Sequence, residues 1–365
     1  MERKKKKLPI IGALIIVSSL ILALISVFLS VQFHFERKKY YDGEDISYEY
    51  FSVPTRDGTE IKGIMYIDKD LRGNSNQEIP TILMLNCINS RKEDNFGKAL
   101  QLIKRGYGVF VVEQRGHGET RAPSAFLKKE PQDMIEVLDF ITEKYKFTNT
   151  THIGILGFSY GGGIGAILQA LDDRIYCSVL YHPLTSLEGL TQRIPFQYLT
   201  GNTPAMGQVD NIEDAFDIAT KDNSQNMLLL HGDKDILIVP EESESFYNHL
   251  NGPNREDIQY ILRPDLDHGK NEGSKETLKF ALAWIEHYYQ DDKIDINNLD
   301  DEITNIDLYP NAKPTNNLPQ IILLVSMLLL FLGLSITIIS KKIGNRYPPK
   351  ILPKTQQKKR GFIKK

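Results

Sequence analysis

Between residues 45 and 290, apolar runs alternate with amphipathic segments, and the central runs are apolar at every position. Ile82-Leu83-Met84-Leu85 and Val109-Phe110-Val111-Val112 carry no polar side chain. A strand with one wet face alternates polar and apolar residues, whereas a strand covered on both faces does not. Strands are therefore expected at 48–53, 60–67, 81–86, 108–113, 152–156, 176–181, 227–231 and 258–263. Helices are expected between them, at 96–105, 131–144, 160–171, 240–250 and 274–289. In the last, Leu278, Leu282, Ile285 and Tyr289 recur at helical spacing on one face. The first two strands adjoin without a helix, as an antiparallel pair does. The rest alternates strand and helix, which predicts an α/β fold: a mostly parallel central sheet with helices on both faces and right-handed crossovers.

Chemistry concentrates at the ends of these strands. Gly157-Phe158-Ser159-Tyr160-Gly161 follows an apolar strand and opens a helix that contains Gly162, Gly163 and Gly165. A sharp strand-to-helix turn of this kind lifts a serine hydroxyl above the sheet, and Gly157 and Gly161 avoid side chains that would collide with it. A serine is a weak nucleophile until a base takes its proton, and the base needs an acid to orient it. Both follow downstream. His231-Gly232-Asp233-Lys234-Asp235 ends the seventh strand, and Asp267-His268-Gly269 lies between the last strand and the last helix. The order serine, acid, histidine with each member at a strand's carboxyl end suits an open α/β sheet. Ser159, Asp235 and His268 are the expected triad, with Asp233 the alternative acid.

Four blocks spread over residues 51–289 resemble the α/β-hydrolase family, in particular its serine aminopeptidase-like and monoacylglycerol-lipase-like members. They are Asp57-Gly58-Thr59, Gln114-Arg115-Gly116-His117-Gly118-Glu119-Thr120, the serine turn, and the Asp235 and His268 loops. The resemblance implies the triad and a short cap after the sixth strand, matching residues 185–224. It also implies an oxyanion hole built from the backbone N–H groups of Tyr160 and of the residue two past the third strand's end, here Ile88. Two departures stand out. Asn86-Cys87 replaces the family's His-Gly, and one extra residue separates Asp235 from Val239-Pro240.

The two ends of the chain differ from its middle. Residues 8–33 and 321–340 contain no charged side chain across 26 and 20 positions. At about 1.5 Å per residue each is long enough for a hydrocarbon layer of about 30 Å, so transmembrane helices are expected at 8–33 and 319–340. Residues 1–7 hold five Lys/Arg and one Glu, and 341–365 hold ten Lys/Arg and no acid. Residues 8–340 then hold 29 basic and 46 acidic side chains, a formal charge of −17. Basic flanks stay cytoplasmic, which predicts two cytoplasmic tails, 1–7 and 341–365, and a multi-pass protein with its 45–290 domain outside. The acidic domain lacks the basic patch that nucleic-acid binding requires. Residues 291–317, rich in Asp and Asn, read as a flexible linker. The cap segment mixes apolar residues with Gly and Pro, as a lid over an apolar site does.

Cys87 and Cys177 sit in apolar runs and read as buried free thiols. His34, His117, His152, His182, His231, His249 and His287 show no ligand spacing, so neither a metal nor a cofactor is expected. These residues together predict a membrane-anchored serine hydrolase that cleaves a carboxylic ester, of a lipid or a small acyl group, through an acyl-enzyme. An extracytoplasmic serine peptidase or aminopeptidase is the second reading. A non-catalytic interaction domain with a hydrolase-like fold is the third.

Overall fold

The doubly buried runs form the middle of one eight-stranded sheet. The computed structural model describes residues 10–11, 13–29, 45–73, 78–88, 90–186, 214–290, 294–310 and 318–346. It divides into two units, residues 41–315 and the two chain ends, 1–40 with 316–365. The larger unit holds strands β1 (Ile46–Pro54), β2 (Glu60–Asp68), β3 (Ile79–Leu85), β4 (Gly108–Glu113), β5 (Thr148–Phe158), β6 (Ile175–Tyr181), β7 (Met227–Gly232) and β8 (Ile258–Arg263). Their order across the sheet is β1-β2-β4-β3-β5-β6-β7-β8. β1, β2 and β4 pair antiparallel, and every later neighbour pairs parallel. The β1–β2 hairpin lies against β4, and β3 pairs between β4 and β5.

Helices α1 (Phe96–Ile103), α2 (Glu130–Lys144), α3 (Tyr160–Leu171), α4 (Pro240–His249), α5 (His268–Gly273) and α6 (Lys275–Tyr289) cover the sheet. All positions of β4 and β7 are buried, because helices cover both of their faces. Trp284 and Phe280 of α6 and Ile164, Ile167 and Leu168 of α3 are wholly buried. Burying an aliphatic or aromatic side chain of this size contributes roughly 1.5–3 kcal/mol, and these contacts fix the strand ends on which the site is built.

The expected linker is different in the structure. Residues 294–310 are docked on the larger unit: Ile296, Leu299, Ile303 and Ile306 are each at most 8% exposed. Their spacing gives short helical turns with one apolar face, which outweighs the Asp/Asn-rich composition. Hydrogen bonds hold the segment down. Gln101 Nε2 donates to the Tyr309 carbonyl at 3.0 Å, and Gln259 Nε2 donates to the Ile296 carbonyl at 2.7 Å. Most of the expected cap, 187–213, lies outside the described residues. Its trailing end includes the short helix Ala215–Ile218, capped by the Asp214 side chain.

In the smaller unit, residues 13–29 are helical, and α7 spans Leu318–Arg346. The Ser19 hydroxyl donates to the Ser326 carbonyl at 2.7 Å, and both residues are buried. Side chains are described for the unbroken stretches 13–29 and 325–339. Among the described residues no helix is long and apolar enough to cross a membrane. The expected spans, 8–33 and 319–340, extend past those stretches.

Candidate active site

Ser159 sits between β5 and α3 with φ +53°, a conformation that few non-glycine residues adopt. The turn is held from both sides: Ser159 N–H donates to the Tyr181 carbonyl at 2.9 Å, and the Ser159 carbonyl accepts from Leu184 N–H at 3.0 Å. Gly161 is required here, since a Cβ would stand 2.2 Å from the Leu85 carbonyl oxygen; at Gly157 it would meet the Gly161 carbonyl at 2.8 Å.

Asp235 and His268 come together, and Asp233 does not join them. His268 Nδ1 lies 2.6 Å from Asp235 Oδ2. A carboxylate only accepts, so Nδ1 carries the proton and Nε2 is left as the basic nitrogen. The other carboxylate oxygen accepts from Leu237 N–H at 2.9 Å and Ile238 N–H at 3.1 Å. His231 Nε2 lies 3.4 Å from Oδ2 and donates to the Ile238 carbonyl at 2.8 Å, while its Nδ1 accepts from Ser243. Burial raises the Asp235 pKa, but the bonds from His231 and His268 outweigh it and hold the carboxyl below its ordinary range. Asp233 instead faces Lys234 at 3.4 Å. The extra residue after the acid is absorbed at Ile236, which is turned out and 87% exposed.

The family-like blocks brace this site. Arg115 binds Thr59 at 2.8 Å, Asp57 at 2.9 Å and Asp133 at 2.7 Å, joining the first hairpin to α2. Gln114 Nε2 donates to the Asn86 carbonyl at 2.8 Å, which ties the segment after β4 to the turn after β3. Ile88 lies in that turn, closed by Ser90 N–H to the Cys87 carbonyl at 3.2 Å. Tyr160 is buried, stacks on His117 and shares a 2.9 Å hydrogen bond with Ser124. Cys87 and Cys177 are free thiols. Burial pushes their pKa values up to about 11 and about 12, so neither is a ready thiolate.

Sequence reasoning misses His182 and Glu272. His182 follows β6, is wholly buried, and stacks on His268 with ring centroids 3.8 Å apart. Glu272 lies one helical turn beyond His268 in α5, and His182 Nε2 is 3.1 Å from its Oε1. The donor atoms of His182, His268 and Glu272 lie within 4.8 Å of one another, a spacing a cation could bridge. The proton pattern opposes that use. Asn271 Nδ2 donates to His182 Nδ1 and to the Leu230 carbonyl, each at 3.2 Å, so the His182 proton resides on Nε2 and points at Glu272. The two form a hydrogen-bonded pair. Only the spacing of His268 and Glu272 at i and i+4 could have signalled it.

Residues 94–292 match the prolyl oligopeptidase family. The chain belongs to that family. The broad expectation of an α/β-hydrolase holds, and the family within it is this one. Human dipeptidyl peptidase 8 is 28% identical over 206 residues, 50% of this chain and 22% of that protein. This chain thus spans about a fifth of that relative's length. An esterase of Pyrococcus furiosus superposes with a TM-score of 0.54 at 18% identity, covering 68% of this chain and 95% of its own. The Pyrococcus horikoshii acylaminoacyl peptidase gives 0.55 at 14%, covering 70% and 44%. The shared fold is that of the α/β-hydrolases.

Proposed function

We propose that the prolyl oligopeptidase family member described here hydrolyses carboxylic esters of lipids or small acyl groups by two-step acyl transfer. The observation that carries the chemistry is the 2.6 Å bond from His268 Nδ1 to a buried, anionic Asp235, and the strained turn at Ser159 supports it. His268 Nε2 takes the Ser159 proton as the hydroxyl oxygen attacks the carbonyl carbon. The N–H groups of Tyr160 and Ile88 hold the oxyanion. The tetrahedral species collapses as His268 returns the proton to the leaving oxygen, and water then repeats the sequence to release the acid.

The ester reading rests on anchoring, which is part of the same proposal. Residues 8–33 and 319–340 span the membrane, both basic tails stay in the cytoplasm, and the hydrolase domain faces outward beside the bilayer. Uncharged lengths of 26 and 20 positions and the basic flanks support it. So does the outward display of Leu24, Phe28, Leu328 and Phe331, each more than 60% exposed. The second reading, cleavage of an acylated or N-terminal peptide bond, is favoured by the family match.

A fluorophosphonate probe should label the wild type and leave Ser159→Ala unlabelled; labelling of both would overturn the triad. A panel of p-nitrophenyl esters and aminoacyl or dipeptidyl p-nitroanilides then separates the readings. Turnover confined to the anilides would replace the ester by the peptide. Protease added to intact cells should degrade the domain and spare tags at both termini; a protected domain would refute the topology.

A further inference from the structure

Asp235 meets the edge of the His268 ring at Nδ1, and a face of the ring is also occupied. His182 leaves β6 at φ +33° and its N–H donates to the Leu230 carbonyl at 2.8 Å. Its buried ring lies against the His268 ring, with centroids 3.8 Å apart and planes tilted by 35°. Its Nε2–H is committed to Glu272 Oε1, 3.1 Å away. Glu272 projects from the same helix as His268, one turn on, so the helix backbone fixes the spacing between the base and this second acid.

We propose that Glu272 and His182 form a second acid–histidine couple, positioning residues that hold the His268 ring by its face, as Asp235 holds it by its edge, and favour its protonated form. This rests on the triad reading. The couple acts through His268. When Ser159 gives up its proton, His268 becomes a cation near two carboxylates, Asp235 at Nδ1 and Glu272 within 4.8 Å of a ring nitrogen. A neutral His182 is what the arrangement needs, since a charged one would repel the imidazolium. Burial supplies that condition by pushing the His182 pKa down to about 4. Glu272 is held anionic: burial raises its pKa, but the His182 bond and the nearby Lys98 and His268 bring it below its ordinary value.

Among the described residues, four sets of charged and titratable groups act around the base. Asp235, backed by His231, faces Nδ1. His182, paired with Glu272, covers a face of the ring. Lys98 from α1 and Cys87 from the turn after β3 act on Glu272. Asp267, paired with Lys270 at 3.3 Å, lies outward beside Asp235. Lys98 and Glu272 carry opposite charges on the same side of the base, Lys98 acting on Glu272, and that gives the test its discrimination.

The readout is the pH dependence of fluorophosphonate labelling of Ser159, which needs no knowledge of the substrate. Removing a carboxylate charge roughly 5 Å from the ring should lower the pKa of the acid limb by about half a unit to two units. Glu272→Gln keeps the size and the hydrogen bond, so its limb should move to lower pH and its plateau should fall by roughly threefold to tenfold. Glu272→Asp should restore most of the wild-type limb. Lys98→Met should move the limb the other way, to higher pH. A merely structural effect would not give opposite signs. Limbs that superpose on the wild type, or that move together in both variants, would overturn the proposal. If Glu272→Gln fails to fold, an unmoved limb in Lys98→Met overturns it alone. Labelling of Ser159→Ala would instead show that the triad beneath it is wrong.

Discussion

Asp235→Asn is the sharpest perturbation, because the hydrogen bonds around Asp235 dictate how an asparagine would sit. Its Oδ1 accepts from Leu237 and Ile238 N–H groups at 2.9 and 3.1 Å. Only an oxygen satisfies two donors, so the amide oxygen of the variant takes that place. The amide nitrogen then points at His268 Nδ1, 2.6 Å away in the wild type. Two donors cannot face each other, so His268 must give up its Nδ1 proton and carry it on Nε2. That nitrogen can no longer accept from Ser159. A replacement that inverts the histidine tautomer in this way drops kcat by about 10⁴ in a serine protease, which corresponds to about 5.4 kcal/mol of transition-state stabilisation. The side chain is isosteric and the two backbone bonds survive, so the fold should persist, as a melting curve checks. The assay is the initial rate of fluorophosphonate labelling, followed by turnover of whichever ester the wild type cleaves best. A variant within tenfold of wild type would refute the tautomer argument and move the acid elsewhere. Asp233→Asn should be close to wild type, since Asp233 faces Lys234 and not His268.

Three further outcomes follow from the packing. Gly161→Ala should abolish labelling and destabilise the domain by about 2–4 kcal/mol in denaturant unfolding, because its Cβ would meet the Leu85 carbonyl at 2.2 Å; a stable, labelled variant would refute the close approach. Ile303→Ala should cost roughly 2–4 kcal/mol if residues 294–310 belong to the folded body, and nothing measurable if they are a loose tether. His182 should make the domain acid-sensitive. Its folded pKa of about 4 lies below the ordinary histidine value of 6.5, so the unfolded chain binds the extra proton and stability falls as pH drops from about 6.5 to about 4. The thermal midpoint of His182→Asn should lose that part of its slope.

The sheet was legible because each central strand declares itself twice, by continuous apolarity and by a flanking turn. β4 and β8 match the expected limits to the residue, and α3 does so because Ser159 marks its start and Asp172 its end. The Asp235–His268 contact and the sharp turn at Ser159 were legible for a different reason: they sit in short blocks whose glycines have a geometric purpose. What sequence reasoning missed lacks any such local mark. His182 and Glu272 are 90 positions apart on different elements, and only the fold places them 3.1 Å apart. The docked segment 294–310 did carry a signal. Ile296, Leu299, Ile303 and Ile306 are spaced by three, four and three, and acidic composition obscured the period.

Two of the unusual backbone conformations near the site explain one another. Ser159 and His182, both non-glycine, end the neighbouring parallel strands β5 and β6 at φ +53° and +33°. Each such residue costs of order 1–3 kcal/mol and persists only where its surroundings over-determine it. Here they over-determine each other. Ser159 N–H is bound to the carbonyl of Tyr181, the residue before His182, and the Ser159 carbonyl is bound to Leu184 N–H, two residues after it. His182 N–H is in turn bound to Leu230 of β7, one residue before His231. Ser159, His182 and the strand that precedes Asp235 are thus joined by backbone bonds at the carboxyl end of the sheet. Relaxing one turn would release the other, so the strained serine and the second couple are kept or lost together.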